Sequence, residues 1–427
     1  MLFRFSLYGF LKNQRYFEPF LILAFLEKGL SFTQIGLLIG FREICVNVME
    51  VPTGAIADVL GRRRCMVLSF LAYMVSFAIF GLARPLWLLF VAMLFFSVGE
   101  AFRTGTHKAI IFDWLAGEGR SDEKTKVYGF TRSWSKLGSA LNALVAAALV
   151  FATKRYAAIF LFSLVPYGLN ILNFLTYPRE LDGPKADSPS IRGVVRVLLA
   201  SFRDSIRRRP LRRLLAEAMG FDGAFKIVKD YLQPVLQSYA TIAAVALPLL
   251  AGWEEHRQIA VFVAVVYFLL HVLSSVASRR ADAFRRWAGD EARAARRLWW
   301  VDLGVFAVLA GAVVFGLPPA AILAFVALHV IQNFWRPILI SRFAAYADAD
   351  KMATVLSIES QGRSLFAAAL APLLGYAVDA MRGLPAPVGT GNLAFLPVGA
   401  VGLAIALVML ASGRTAAPAA IGPENAP

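Results

Sequence analysis

The chain has 427 residues, 58% of them hydrophobic, with 34 phenylalanines, a mean hydropathy of +0.62 and a formal charge of +16. An ordinary soluble domain is about half apolar, so this balance excludes a soluble enzyme or binding module and indicates a polytopic membrane protein. The charge is not a nucleic-acid footprint, because the arginines cluster in short loops between apolar runs, where they act as orientation signals.

Runs of about 20 apolar residues predict membrane-spanning helices. They fall at 5–27, 33–59, 65–83, 86–115, 126–152, 155–177, 211–238, 258–279, 297–316, 319–345, 352–381 and 391–412, an all-α protein of twelve spans. The first apolar run carries charges and lacks a small-residue cleavage site, so it is expected to be retained. Thr241–Gly252 is apolar but too short to span, and is expected to extend the seventh helix on the extracellular side or as a re-entrant piece. Between the sixth and seventh spans, 178–210 opens with Pro178 and a polar run, then places Ile191, Val195, Leu198, Phe202 and Ile206 on one side of a basic amphipathic helix. Such a helix suits the inner leaflet, although a solvated linker fits the same composition. The expected units are therefore 1–177, a cytoplasmic linker 178–210, 211–412 and a flexible cytoplasmic tail 413–427.

Arg62, Arg63 and Arg64 follow the second span, and seven arginines between Arg279 and Arg297 follow the eighth. Positive loops stay inside, which predicts a multi-pass protein of the cytoplasmic membrane with both termini cytoplasmic. Cys45 and Cys65 are about a membrane thickness apart along predicted helix, so neither a disulfide nor a metal site is implied.

The loop after the second span reads Gly54-Ala-Ile-Ala-Asp58-Val-Leu-Gly61-Arg62-Arg63-Arg64. Glycines permit a tight turn and close backbones, Asp58 fixes a negative charge, and the arginines mark the inner face. The pattern resembles the loop 2–3 signature of the major facilitator superfamily. Matches between the two halves of the chain support the resemblance: Arg15–Pro19 with Asp230–Pro234, Asp58 with Asp282, Arg103 with Arg336, and Arg132-Ser133 with Arg363-Ser364, all in the same order. Paired six-helix halves are how that superfamily is built. The resemblance implies two pseudo-symmetric six-helix halves, alternating access, and a cytoplasmic gate formed by Gly54, Asp58, Gly61 and Arg62 against the end of the eleventh helix near Thr354. Two departures stand out. Asn142 and Ala143 occupy the place of the Gly-Pro that ends the antiporter signature of helix 5, and the Arg-x-x-Gln-Gly signature of helix 4 is missing around Gly99.

An ionisable residue inside a span costs a few kcal/mol unless it faces water or a partner. In the second span Gly36, Gly40, Glu43, Asn47, Glu50 and Gly54 form one stripe at steps of three and four. Glu100, Arg103 and His107 share a face of the fourth, Arg132, Ser135, Lys136 and Ser139 of the fifth, and Asp222, Lys226, Asp230, Gln233 and Gln237 of the seventh. His329, Asn333 and Arg336 add to the tenth, and Glu359 and Arg363 to the eleventh. A central polar cavity lined by Arg15, Arg103, His107, Arg132, Lys136, Lys226, Asp230, Gln233, Arg336 and Arg363 is expected, with Glu18, Glu43 and Glu100 as candidate proton carriers. Glu18 leads, because it precedes Pro19 near mid-membrane and exporters of the resembled superfamily often carry an acid in the first helix. Spacing alone also allows intrahelical pairs Arg15–Glu18, Glu100–Arg103 and Glu359–Arg363.

No His-Glu-x-x-His, Gly-x-Ser-x-Gly or Walker-type loop is present, which disfavours catalysis or an ATP-driven pump. The expected function is secondary transport of a small organic molecule, as proton-coupled efflux by a monomer in a lipid bilayer. No cofactor and no nucleic-acid partner are called for. The competing expectations are import of an organic anion and a non-transporting receptor or assembly protein on the same fold.

Overall fold

The computed structural model describes residues 1–104, 106–182, 196, 207–246, 252–346, 352–383 and 393–412, without the side chains of 51, 54, 55, 58, 59, 125, 241–246 and 353. Among the described residues every regular element is helical. Ten helices are long and apolar enough to cross a membrane, and the two remaining spans of a twelve-helix bundle are broken ones.

The first, α1, runs as Leu2–Leu11, a turn at Glu18–Phe20 and then Leu21–Glu27. It corrects the unbroken helix expected at 5–27. Pro19 lacks an amide hydrogen, so the chain turns where the ladder is already open. Next come α2 (Phe32–Leu60) and α3 (Arg62–Leu82), joined through Gly61 at φ 93°. Only glycine adopts that angle freely. The fourth, α4, is interrupted at Thr104 into Leu86–Arg103 and Thr106–Gly117, again a departure from the continuous run expected at 86–115. α5 (Lys124–Thr153) is followed by α6, made of Ala158–Phe162 and Leu164–Leu175.

In the second half α7 starts at Arg209–Ala218, widens to a π-helix at Met219–Gly223, and continues through Ala224–Val228 and Lys229–Tyr231 to Leu232–Ala246. The backbone thus extends the seventh helix into the apolar stretch from Thr241, whose side chains and whose continuation at 247–251 lie outside the described residues. α8 (Glu255–Ala288) has 34 residues, about 50 Å at 1.5 Å per residue, so its arginine-rich end outruns a ~30 Å hydrocarbon layer. Gly289 at φ 98° ends it, and Asp290 caps α9 (Glu291–Val314) by accepting from the Arg293 amide. α10 (Pro318–Ala344), α11 (Met352–Arg382) and α12 (Leu396–Ser412) complete the bundle. The amphipathic linker helix expected around 191–206 and the tail from 413 lie outside the described residues, apart from residue 196.

Each half has its own aromatic interior. Tyr8, Phe70, Tyr73 and Phe174 interlock in the first, with Phe5 joined to them through Tyr177, and Phe221 stacks on Trp335 at 4.2 Å with Trp299 edge-on to both in the second. Large apolar side chains such as Trp87, Leu172, Leu323 and Leu373 point outward, as suits a lipid-facing surface.

The halves meet along α2 with α11 and α5 with α8. On α2 a Cβ at Gly36 would stand 2.3 Å from the Ala371 carbonyl oxygen, and one at Gly375 on α11 would stand 2.2 Å from that of Phe32. Hydrogen atoms alone let the two backbones approach so closely.

Candidate substrate and coupling site

Three charge clusters lie near the middles of the helices. The first belongs to the N-terminal half. The turn that breaks α1 aims Arg15 across the bundle, where it donates to Glu100 at 2.9 Å. Arg103 and the Tyr73 hydroxyl bind the same carboxylate. Arg15 therefore pairs with Glu100 and not with Glu18, because the broken helix separates positions that an ideal turn would stack.

The second cluster is its counterpart in the C-terminal half. Arg336 holds Glu359 through two bonds of 2.7 and 3.1 Å and also donates to Asp222 at 3.0 Å. Arg363 pairs with Glu359, and Gln332 donates to Asp222. Two buried carboxylates face two cations, so the cluster is close to neutral.

The third cluster bridges the halves. Glu43 of α2 is almost fully buried, accepts from Arg42 of its own helix at 2.7 Å, and receives the Lys226 ammonium of α7. Lys226 also reaches the Ser364 hydroxyl on α11. Asn47, one turn further along α2, donates to the Gln361 carbonyl of α11. The π segment explains why the single face expected for α7 is divided. Its extra residue per turn shifts the register, so Asp222 looks into its own half while Lys226 looks across to the other.

Around this bridge stand the remaining candidates. Glu18 is exposed in its turn, its carboxylate makes no bond among the described residues, and it lies within electrostatic reach of Lys229 and His271. Lys229 pairs with Asp230 at 2.6 Å. Arg132 and Lys136 are exposed on α5 and form no ion pair among the described residues. Gln233 is buried and acts on the fold: its side chain accepts from the Ile22 amide and donates to the Glu18 carbonyl, filling the backbone positions opened by the α1 break. His107 is buried in the first half and stacks on Tyr8 at 3.8 Å. Arg42, Tyr73 and Gln332 were not singled out from the sequence, although a cation adjoining Glu43 inside an apolar span was a readable signal.

The two ends of the bundle differ. At the end remote from the N-terminus, Asp379 of α11 accepts from the Phe32 and Thr33 amides and the Thr33 hydroxyl, capping α2 from across the interface. Lys154 pairs with Glu254, His256 approaches Glu27 at 3.5 Å, and Arg382 lies over the Phe32 ring. Beside these contacts lies an open cleft of about 470 Å³ bounded by Leu23, Glu27, Tyr156, Glu255 and His256. At the N-terminal end the charged partners stay within a half: Arg62 binds Asp113, Arg63 approaches Asp182 at 3.7 Å, and Arg342 binds Glu217. Of the expected gate, Gly61 forms the α2–α3 turn against Asp182, Arg62 serves its own half, and the side chains at Gly54 and Asp58 lie outside the described residues.

A twelve-helix bundle with a charged cluster inside each half and a third bridging the joint has the architecture of a multi-pass membrane carrier. The model of the Major Facilitator Superfamily matches residues 13–372, and the chain belongs to that family. Solved structures agree on the fold. The nucleoside transporter NupG is similar at a TM-score of 0.74 with 12% identity, covering 97% of this chain and 99% of its own. A POT family transporter in complex with 5-aminolevulinic acid gives 0.67 with 15% identity, over 96% and 95%. The human organic anion transporter MFSD10 (TETRAN) gives 0.56 with 18% identity, over 95% and 98%. No curated protein matches the sequence. The protein is thus a solute transporter and not an enzyme.

Proposed function

We propose that the protein exports a small anionic or zwitterionic organic solute in exchange for protons, with Glu43 as the coupling carboxylate. The observation that carries this reading is the Glu43–Lys226 pair, in which a buried carboxylate of one half meets a partly exposed lysine of the other. Protonating Glu43 leaves Arg42 and Lys226 without their shared carboxylate; the lysine side chain is 37% exposed, so water screens part of the loss and the roughly 3–5 kcal/mol of a fully buried pair falls to about 1–3 kcal/mol. That energy is ample to shift a balance between two conformers, since about 1.4 kcal/mol changes a population ratio tenfold. Glu100 is less suited, because three donors of one half hold it and its protonation would not loosen the joint. Glu18 is exposed and makes no bond among the described residues, which suits it to pass protons to the central layer.

The substrate class rests on charge. Arg42 and Lys226 share one carboxylate, Arg15 and Arg103 share another, and Arg132 and Lys136 have none among the described residues. A site with this surplus attracts carboxylates and zwitterions over lipophilic cations. The membrane is proposed to be the cytoplasmic one, with both termini inside, on the distribution of arginines.

The test is reconstitution of the purified full chain in liposomes, with internal pH followed while carboxylates, zwitterions and lipophilic cations are added in turn. Solute-evoked proton movement by an acid or zwitterion is expected. Proton movement evoked only by lipophilic cations would overturn the substrate class, and solute flux without any proton movement would overturn the coupling. Import of an organic anion is the second reading, favoured by the same cationic surplus, and the direction of uphill flux under an imposed pH gradient separates the two.

A further inference from the structure

Asp302 lies at the middle of α9 and belongs to none of the three clusters. It is 5% exposed, and among the described residues it makes neither a hydrogen bond nor an ion pair. Its carboxyl group faces a cavity of about 10 Å³ between α7, α9, α10 and α12. Gly220, Phe221 and Ala224 face it from α7, Leu328 from α10, and Gly402 and Ile405 from α12, none of them charged or titratable. On its own helix the residues one turn away are Leu298, Trp299, Val305 and Phe306. Among the described residues no other charged side chain lines the cavity.

We infer that Asp302 and this cavity form a proton-holding site, in which a neutral carboxylic acid and a single water occupy the joint between α9 and the π segment of α7. An ionised carboxylate isolated in an apolar interior costs several kcal/mol, whereas the neutral acid is far cheaper and gains a donor hydrogen. The cavity has the size of one water, which needs polar partners to stay. Asp302 is one. The π segment supplies another, because a wider turn leaves a backbone carbonyl outside the usual ladder. A metal cation would find a single carboxylate among aromatic and aliphatic groups instead of an oxygen cage.

Placement gives the site its consequence. The π segment that borders the cavity through Gly220 and Phe221 also carries Asp222 into the Arg336 cluster. A proton on Asp302 therefore favours the register that keeps Asp222 paired, and its loss draws water into the joint and releases that register. The site is independent of the coupling assigned to Glu43.

Infrared spectra of the full-length protein in detergent test the assignment. A protonated carboxylic carbonyl band is expected in the wild type at neutral pH, shifted in Asp302→Glu and missing in Asp302→Asn, but retained in Glu43→Gln. Thermal unfolding gives a second readout. The folded protein keeps a proton that the unfolded chain releases above about pH 4, so the advantage of Asp302→Asn over the wild type in Tm should grow between about pH 5 and about pH 8. A wild-type spectrum without such a band at neutral pH would overturn the proposal even if neither variant folds. So would a Tm raised by sodium chloride, relative to choline chloride, in the wild type and not in Asp302→Asn, which would mean that a cation fills the site.

Discussion

The contact between α2 and α11 makes a quantitative prediction. A methyl group at Gly36 would sit 2.3 Å from the Ala371 carbonyl oxygen, about 1 Å inside ordinary contact, and 2.8 Å from the Cα of Pro372. Both obstacles are backbone, so neither can move aside by changing a rotamer. Gly36→Ala should therefore push the helices apart at the end remote from the N-terminus. Overpacking of this kind costs roughly 1–3 kcal/mol, and here the cost falls only on the conformer in which that end is closed. At 1.4 kcal/mol per tenfold, the ratio of open to closed should rise by about 5- to 150-fold. The assay is thiol labelling of a single cysteine placed at Leu30, in a background with Cys45 and Cys65 replaced, because Leu30 is buried beneath that end and becomes reachable when it opens. Faster labelling with unchanged protein yield is the expected result. Unchanged labelling in a folded Gly36→Ala protein would refute the view that this close approach is a feature of one conformer.

Further expectations concern the capped helix and the charge clusters. Asp379→Ala removes three bonds from the start of α2 and should cost about 1–2 kcal/mol, again raising labelling at Leu30; labelling at the wild-type rate would count against the cap as part of the closure. Arg336→Ala leaves Asp222 and Glu359 short of their main cation and should destabilise by about 3–5 kcal/mol, seen as a lower Tm and poor yield. A normal Tm with weakened binding of anionic solutes would instead assign Arg336 to the substrate. Gly402→Ala drives a methyl group to 2.2 Å from the Phe306 ring, between α12 and α9, and should lower Tm as overpacking of about 1–3 kcal/mol does; an unchanged Tm would show that Phe306 yields.

The helix count, the loop around Gly61 and the positions of the buried charges were legible in the sequence because apolar runs, glycines and intramembrane ions each have a direct physical cost. The stripe of Gly36, Gly40, Glu43 and Asn47 was readable for the same reason, and it is the side of α2 that meets the other half. The partners of the charges were legible in part. The pairs Glu100–Arg103 and Glu359–Arg363 form as their spacing suggested, whereas Arg15 does not meet Glu18, because the α1 break hands it to Glu100. That His107 is buried against Tyr8 depends on how α1 and α4 pack. The π segment at Met219–Gly223 left no mark in the pattern, since one extra residue in a turn changes which faces are shared without changing composition. Asp302 was not singled out from the sequence, although a lone acid in an apolar run is a readable signal; that it has no partner among the described residues emerges only when the neighbouring helices are in place.

The central claim is that Glu43 takes up the coupling proton and thereby releases Lys226. It is tested most directly by uphill flux in proteoliposomes under an imposed pH gradient, comparing the wild type with Glu43→Gln for whichever solute evokes proton movement. The glutamine keeps the shape and hydrogen-bonding capacity of the acid but cannot titrate. The account predicts that the wild type concentrates the solute, while Glu43→Gln still exchanges solute down its gradient but accumulates none. Accumulation by Glu43→Gln against a gradient, with wild-type dependence on pH, would contradict it.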